Sequence, residues 1–446
     1  MSVHVVHDAL SGVTPADAPA FSEDALAQEF TRRNKEDWRY VAPWGRWLRW
    51  DGTAWRVEST LHVYDLARQV CRDAAEVAKA TLAGRIASAQ TRAAVVSLAQ
   101  ADRAHAARVE QWDVGPWLLA TPDGVVDLRT GDLRSATRED YVTKTTAVGP
   151  RDVAAPTWEA FLRRVTGDDH ELMAFLQRVV GYALTGSTRE HSLYFMYGTG
   201  ANGKSTFLNT IYGLLGDYAV TAPMETFTVS VGDKHPTDVA MLRGARLVVS
   251  SETEDGRRWA ESKLKSLTGG DPITARFMRA DFFTYTPVFK LLLSGNHRPA
   301  LRNVDEAIRR RFHLVPFTEV IPVAERDPHL PEKLRAEWPG VLAWAIRGCL
   351  EWQAKGLRPP ARVTTATTNY FAAEDSIGRW LEDCCDLGRQ HSDTAARLFA
   401  SWKAWAESAE EYVGSKKRLS QRLEERGLEA AWVFSVRGFR GVRVRQ

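Results

Sequence analysis

The stretch SLYFMYGTGANGKSTFLNTIYGLLG, residues 192–216, constrains the fold more than any other part of the chain. An apolar run enters a glycine-rich loop, and the loop opens into a helical pattern. A backbone holds a polyphosphate only where several amides converge, and Gly198, Gly200 and Gly203 let the chain come that close. The spacing Gly198-x-x-x-x-Gly203-Lys204-Ser205 is that of a phosphate-binding loop. In such a loop the backbone of Gly198, Thr199, Gly200, Ala201, Asn202 and Gly203 cradles the phosphates. Lys204 reaches the β and γ oxygens, Ser205 ligates magnesium, and Thr206 follows in the first helical turn. Leu193 to Tyr197 reads as a buried strand, and Phe207, Ile211, Leu214 and Leu215 share one helical face. The helix, read as 205–215, adds its positive dipole end. A nucleotide with Mg2+ is the expected ligand, and ATP its expected form.

Helical patterns over 158–185 precede this strand, and strands and helices then alternate to about Cys349, which predicts a parallel α/β domain over 156–355. Pro150 to Pro156 reads as a linker before it, and EWQAKGLRPPARV as a proline-rich break after it. Residues 1–20 are rich in Ala, Pro and small polar residues and read as a disordered tail. Residues 21–150 read as an α+β domain. Within it, five of the sixteen tryptophans fall in 38–57 around Asp51-Gly52, which predicts a hairpin. The segment 61–110 is Ala-rich and helical, and 118–135 is a second strand-and-turn region. Tryptophans interleaved with Arg46, Arg49 and Arg56 suit either packing of a small sheet or stacking on unpaired bases.

Residues 364–446 read as helical to about 428, followed by a hairpin turning at Arg437-Gly438. Helices followed by a basic two-stranded wing describe a winged helix. The net charge is only +3, but from Gly414 to Gln446 nine basic residues face three acidic ones, a balance suited to a phosphate backbone. Lys416, Lys417, Arg437 and Arg440 are the candidate DNA contacts there. The four cysteines, Cys71, Cys349, Cys384 and Cys385, form no C-x-x-C, so neither a zinc ribbon nor a disulfide framework is expected. No run of about eighteen apolar residues occurs, and the amino-terminal residues lack a secretory pattern, so a cytoplasmic protein without a membrane span is expected.

An ATPase needs a carboxylate at the end of a neighbouring strand. In ARLVVSSETEDG the strand Leu247 to Val249 leads to Glu252, assigned the water-activating and magnesium role, with Glu254 second. VFKLLLSGNHRP is a strand ending at Asn296, whose amide orients the γ-phosphate and its water, although an asparagine there also suits a plain turn. VDEAIRRRFHLVPF offers Arg309, Arg310 and Arg311. An arginine supplied in trans stabilises the charge of phosphoryl transfer, and at most one or two of three adjacent arginines can reach one phosphate. Between these segments, KSLTGGDPITARFMRADFFTYTP reads as a basic, aromatic hairpin containing Arg276, Arg279, Phe282 and Phe283.

In this order, GTGANGKST, RLVVSSETE, TGGDPITARFMR, LLLSGNHRP and DEAIRRRFHLVPF resemble the superfamily 3 helicases of the phage, plasmid and poxvirus helicase-primase family. LQRVVGYALTGSTREHSLYFMYG and the Trp-rich region resemble the flank and amino-terminal domain of that family, and the carboxyl end resembles its appended winged helix. The resemblance implies an AAA+ P-loop NTPase core forming a ring, usually a hexamer, that uses ATP and Mg2+ to move 3′ to 5′ on single-stranded DNA. It implies roles for Lys204 and Ser205 in phosphate and magnesium binding, for Glu252 with Glu254 in the second motif, for Asn296 as sensor and for Arg310 or Arg311 as finger. It further implies that Lys263, Lys265, Arg276 and Arg279 present DNA-contacting loops to a central channel, in the cytoplasm of a bacterial host. No D-x-D pair occurs in the chain, so primer synthesis is expected from a separate primase or replisome protein. Two other functions use the same loop: an initiator or loader that does not unwind DNA processively, and a small-molecule kinase. Asn296, the arginine cluster and the basic tail argue against the kinase.

Overall fold

The computed structural model describes residues 18–229, 237–251, 256–278, 281–301, 305–409 and 411–445. Glu252, Glu254, Arg279 and residues 1–17 of the expected tail lie outside the described residues. The apolar runs around the glycine loop form a five-stranded sheet. Its strands are β1 (Leu193–Tyr197), β2 (Ala219–Thr221), β3 (Leu247–Ser250), β4 (Lys290–Gly295) and β5 (Phe312–Pro316). They lie in the order β5-β1-β4-β3-β2, all parallel. Parallel strands covered on both faces must be apolar in succession, and every residue of β3 and β4 is buried.

Alternation sorts the strand side chains between two cores. Tyr194, Met196, Val249, Leu292 and Val315 pack with residues of the helices Pro156–Thr166, His170–Ala183, Lys204–Leu215 and Trp338–Lys355. Leu193, Phe195, Val248, Leu291 and Leu314 face the other way, toward Trp259, Leu264, Tyr370 and Phe371. The helix Ala361–Glu374 therefore packs on the sheet, although the sequence assigns 364 onward to the carboxyl-terminal unit. Tyr370 and Phe371 both bring their rings to 6.0 Å from Phe312.

Two buried cations brace the amino ends of β3 and β4 without a carboxylate. Arg246 donates to the carbonyls of Leu184 (2.6 Å), Gly115 (3.1 Å) and Leu118 (2.7 Å), and Lys290 donates to those of Thr185, Ser187 and Val288. Burial lowers the pKa of each. Their carbonyl partners tie segment 115–118 and the end of helix His170–Ala183 to the base of the sheet.

The expected hairpin at Asp51-Gly52 is present, joining strands Arg46–Trp50 and Trp55–Val57. Burial settles the two readings of its tryptophans in favour of packing. Trp38, Trp47, Trp50 and Trp55 are all buried, and Trp47 meets Phe30 and His105 edge-on at 6.2 and 5.1 Å. Arg56 reaches out of the unit to Asp217 at 2.8 Å. The second strand region forms its own three-stranded sheet, yet Leu119, Val126 and Leu128 share the core of the helices beside β1.

The carboxyl-terminal unit runs helix Ser376–Cys384, strand Cys385–Thr394, helices Ala395–Ser408 and Lys416–Glu425, then strands Glu429–Val433 and Val436–Val444. The last strand lies centrally between the other two. The strand Cys385–Thr394 corrects the expectation of helix to about 428. The terminal hairpin turns at Phe434-Ser435, where Val433 pairs with Val436, rather than at Arg437-Gly438. Gly438 serves a different need: a Cβ there would lie 2.4 Å from the carbonyl oxygen of Asp393. Cys71, Cys349 and Cys385 are free and buried, and Cys384 is half-buried. Among the described residues no helix is long and apolar enough to cross a membrane.

Candidate nucleotide site

β1 and β4 are paired with Tyr197 opposite Gly295, so the chain leaves both strands at one edge of the sheet, side by side. This places the glycine loop next to Asn296. The cleft between them, about 470 Å3, is lined by Gly200 to Thr206, Ser251, Ser294, Gly295 and Asn296. Its location outside the carboxyl ends of parallel strands is where open α/β sheets bind ligands.

Lys204 is the centre of the site. It is 6% exposed, and its ammonium donates to the Gly198 carbonyl (2.7 Å), Asn202 Oδ1 (3.0 Å) and Asn296 Oδ1 (3.2 Å). Burial lowers its pKa from the ordinary lysine value. Asn202 is oriented by its other end, since its Nδ2 donates to the Phe317 carbonyl at 2.6 Å. Two glycines are required by close approach. A Cβ on Gly198 would lie 2.0 Å from that same Phe317 oxygen, and one on Gly203, whose φ is +83°, would lie 2.4 Å from Val165 Cγ1. Ser205 is exposed in the first turn of helix Lys204–Leu215 and lines the cleft. Thr199 is exposed but does not line it.

A second chamber of about 360 Å3 shares Ala201, Gly203 and Thr206 with the cleft and extends among Phe161, Ile321 and Leu330. Sequence reasoning misses this chamber and also misses Ser251 and Ser294. Only the strand order, which puts β4 between β1 and β3, brings these serines to the loop.

The arginine cluster lies elsewhere. The helix Glu306–Arg309 leads into β5, and the Arg311 carbonyl accepts from the Leu193 amide at 2.7 Å, so the cluster sits at the amino end of β1. The length of β1 at about 3.3 Å per residue separates it from the loop by roughly 16 Å. Arg311 is 8% exposed and donates to the Ala307 carbonyl at 2.6 Å, and its pKa is lowered by burial. Arg309 covers the Phe371 ring at 5.3 Å. Arg310 alone of the three is exposed.

Among the other nominated residues, Lys265 is paired with Asp305, and Arg276 lies over the Phe282 ring at 4.6 Å on the hairpin Ile273–Ala275 and Phe283–Tyr285. Lys263 sits in the helix Glu261–Gly269. In the tail, Arg422, Arg426, Arg443 and Arg445 are each paired with a carboxylate. Lys416, Lys417, Arg437 and Arg440 are exposed and make no ion pair among the described residues.

Comparison with known proteins adds a family to this geometry. A family described as "D5 N terminal like" matches residues 27–167, and a family of unknown function, DUF5906, matches 196–311. Proteins carrying the name "Putative helicase" match from Acanthamoeba polyphaga mimivirus, 25% identical over 60% of this chain and 31% of that protein. One from Invertebrate iridescent virus 3 is 26% identical over 50% of this chain and 25% of its own length. The solved NrS-1 C terminal region shares the fold, with a TM-score of 0.52 at 8% identity over 94% of this chain and 98% of that one. A second structure of that region gives 0.53 at 10% identity, over 92% of this chain and 87% of that one. Together these likenesses support a protein of the phage and viral superfamily 3-type helicase-primase kind. The chain spans about a third or less of the length of the two viral relatives. The DUF5906 match, residues 196–311, contains the glycine loop, Asn296 and the arginine cluster.

Proposed function

We propose that this chain is an ATP-dependent, ring-forming replicative DNA helicase of a phage, prophage or plasmid, moving 3′ to 5′ on single-stranded DNA in the host cytoplasm. One observation carries the reading: the Lys204 ammonium joins the glycine loop to Asn296 at the tip of the neighbouring strand. A loop lysine and a polar sensor that share one phosphate need that arrangement. The strand order β5-β1-β4-β3-β2 supports an AAA+ core, and the order of helices and strands after Ser376 supports a winged helix. The residues present fit ATP with Mg2+. Lys204 would hold the β and γ oxygens, Ser205 and Glu252 would hold the magnesium ion, and the apolar chamber beside the loop would take the base. A metal held there would neutralise charge on the phosphates. Asn296 orients the water, and Glu252, which follows Ser251 in the sequence, draws its proton, with Glu254 in support. Arg276 and Arg279, with Lys263 and Lys265, face DNA in the channel, and the unpaired tail cations hold phosphates.

Two measurements test this: ATP hydrolysis with and without single-stranded DNA, and strand displacement on forks bearing each tail polarity. Stimulated hydrolysis with displacement only from the 3′ tail is expected. Hydrolysis stimulated by DNA without displacement would replace the helicase with an initiator or loader, and hydrolysis indifferent to DNA would exclude both. Glu252→Gln is expected to retain ATP binding and hydrolyse at least ~100-fold more slowly, the scale of a lost general base. Should Glu254→Gln be the slow variant instead, the order of the two carboxylates is reversed.

A further inference from the structure

We propose that the tip of the carboxyl-terminal hairpin is an aromatic wedge that stacks on the last base pair of duplex DNA where it opens into single strands; this rests on the unwinding reading above. The tip consists of Trp432 and Phe434, which are 78% and 85% exposed, more than any other large apolar side chain described. The hairpin does not need them for its own packing, because Val433, Phe439 and Val442 are buried beneath it.

The backbone at the tip is unusual in the same place. Phe434 and Ser435 both have positive φ, 49° and 64°, in a two-residue turn that closes Val433 onto Val436. Asn-Gly takes such a turn at least cost, and a bulky aromatic in left-handed backbone is an outlier. Strain of this kind concentrates where function requires it. Its result here is a ring held out at the apex of a rigid ribbon.

Charge chooses the occupant. Arg437 is paired directly across the ribbon from Trp432, and Arg440 follows on the same strand. Both are exposed and make no ion pair among the described residues, as is true of Lys416 and Lys417, whereas Arg443 on that strand and Arg445 just after it are committed to Asp386. Exposed rings bordered by unneutralised cations fit bases bordered by phosphates, since every base offers a face for stacking and every phosphate a charge. A narrow apex bearing two rings, rather than a groove, suits the end of a base stack, where an apolar side chain can enter in place of the next base pair.

The test uses the full chain with two variants. Phe434→Asn combined with Ser435→Gly gives the turn its least strained pair, so a loss of function cannot be assigned to misfolding. Trp432→Thr removes the second ring while keeping a strand-forming residue. The probe is forked DNA with 2-aminopurine in the first base pair, compared with the same probe placed inside the duplex. Wild-type protein is expected to change the emission at the first pair only. Both variants should lose that change and unwind forks at least about fivefold more slowly, the lower bound for one lost base–aromatic stack. Their hydrolysis stimulated by single strands should remain within about twofold of wild type. Variants that unwind and shift the emission like wild type would overturn the wedge alone. Variants that keep the emission change but lose oligomerisation would make the tip a protein contact and overturn it equally. A wild-type chain that neither unwinds nor perturbs the probe would remove the helicase reading and the wedge with it.

Discussion

Lys204→Ala is expected to reduce ATP hydrolysis to background while the chain keeps its fold and its thermal transition. The ammonium meets three protein oxygens, from Gly198, Asn202 and Asn296, and the last two residues line the cleft beside it. Removing one donor aimed at developing charge costs about 10² to 10³ in rate, and here the donor is also the site's fixed positive charge. The fold should tolerate the change. Alanine is the best helix former, and the position opens the helix Lys204–Leu215 at the mouth of a cleft, where water can replace the lost donor. Asn202 stays held by the Phe317 carbonyl, so the loop keeps an anchor that does not pass through the lysine. Phosphate release alongside circular dichroism decides the matter. Near-wild-type turnover in a folded variant would remove the phosphate-loop assignment, and an unfolded variant would make Lys204 a structural cation instead.

The parts of this site that could be read from the sequence are those in which neighbours in sequence are neighbours in space. Leu193 to Tyr197 is apolar without a break and is followed at once by glycine, so both the strand and its end were legible. Asn296 was legible because it follows the apolar run Leu291 to Leu293 after only Ser294 and Gly295. Ser251 and Ser294 were not, because nothing local says that β4 lies between β1 and β3. The strand Cys385–Thr394 was hidden for another reason. Its sequence, CDLGRQHSDT, carries little apolar alternation because it is an edge strand, much of it half-buried or exposed. Gly438 misled in a different way. Glycine marks turns and also marks places where one backbone presses on another, and here it is the second. The tryptophans of 38–57 were ambiguous because packing and base stacking select the same residues, and only burial distinguishes the two.

Three adjacent arginines presented the same kind of ambiguity, and the geometry sharpens it into a second large effect. Arg310→Ala is expected to be nearly as damaging as Lys204→Ala, because a finger supplied in trans contributes about 10³ to 10⁵ in rate. Arg311 is buried and donates to the Ala307 carbonyl, and Arg309 covers Phe371, which leaves Arg310 as the exposed member. The Arg311 carbonyl is bonded to the amino end of β1, so Arg310 starts a whole strand length from the glycine loop of its own chain. It can serve a phosphate only where a second subunit brings its loop to that edge. Hydrolysis per subunit should therefore rise with protein concentration and with DNA that assembles the ring. Mixing Lys204→Ala subunits with Arg310→Ala subunits should restore part of the activity, since some interfaces then pair an intact loop with an intact finger. Arg311→Ala should instead lower thermal stability, because it removes the Ala307 bond, and a folded Arg311→Ala subunit should retain its finger. If Arg311→Ala is the folded but inactive variant that mixing rescues, while Arg310→Ala hydrolyses ATP unaided, the two roles are exchanged. If neither mixture recovers hydrolysis and activity per subunit stays flat on dilution, the site is complete within one chain and the shared-site mechanism fails.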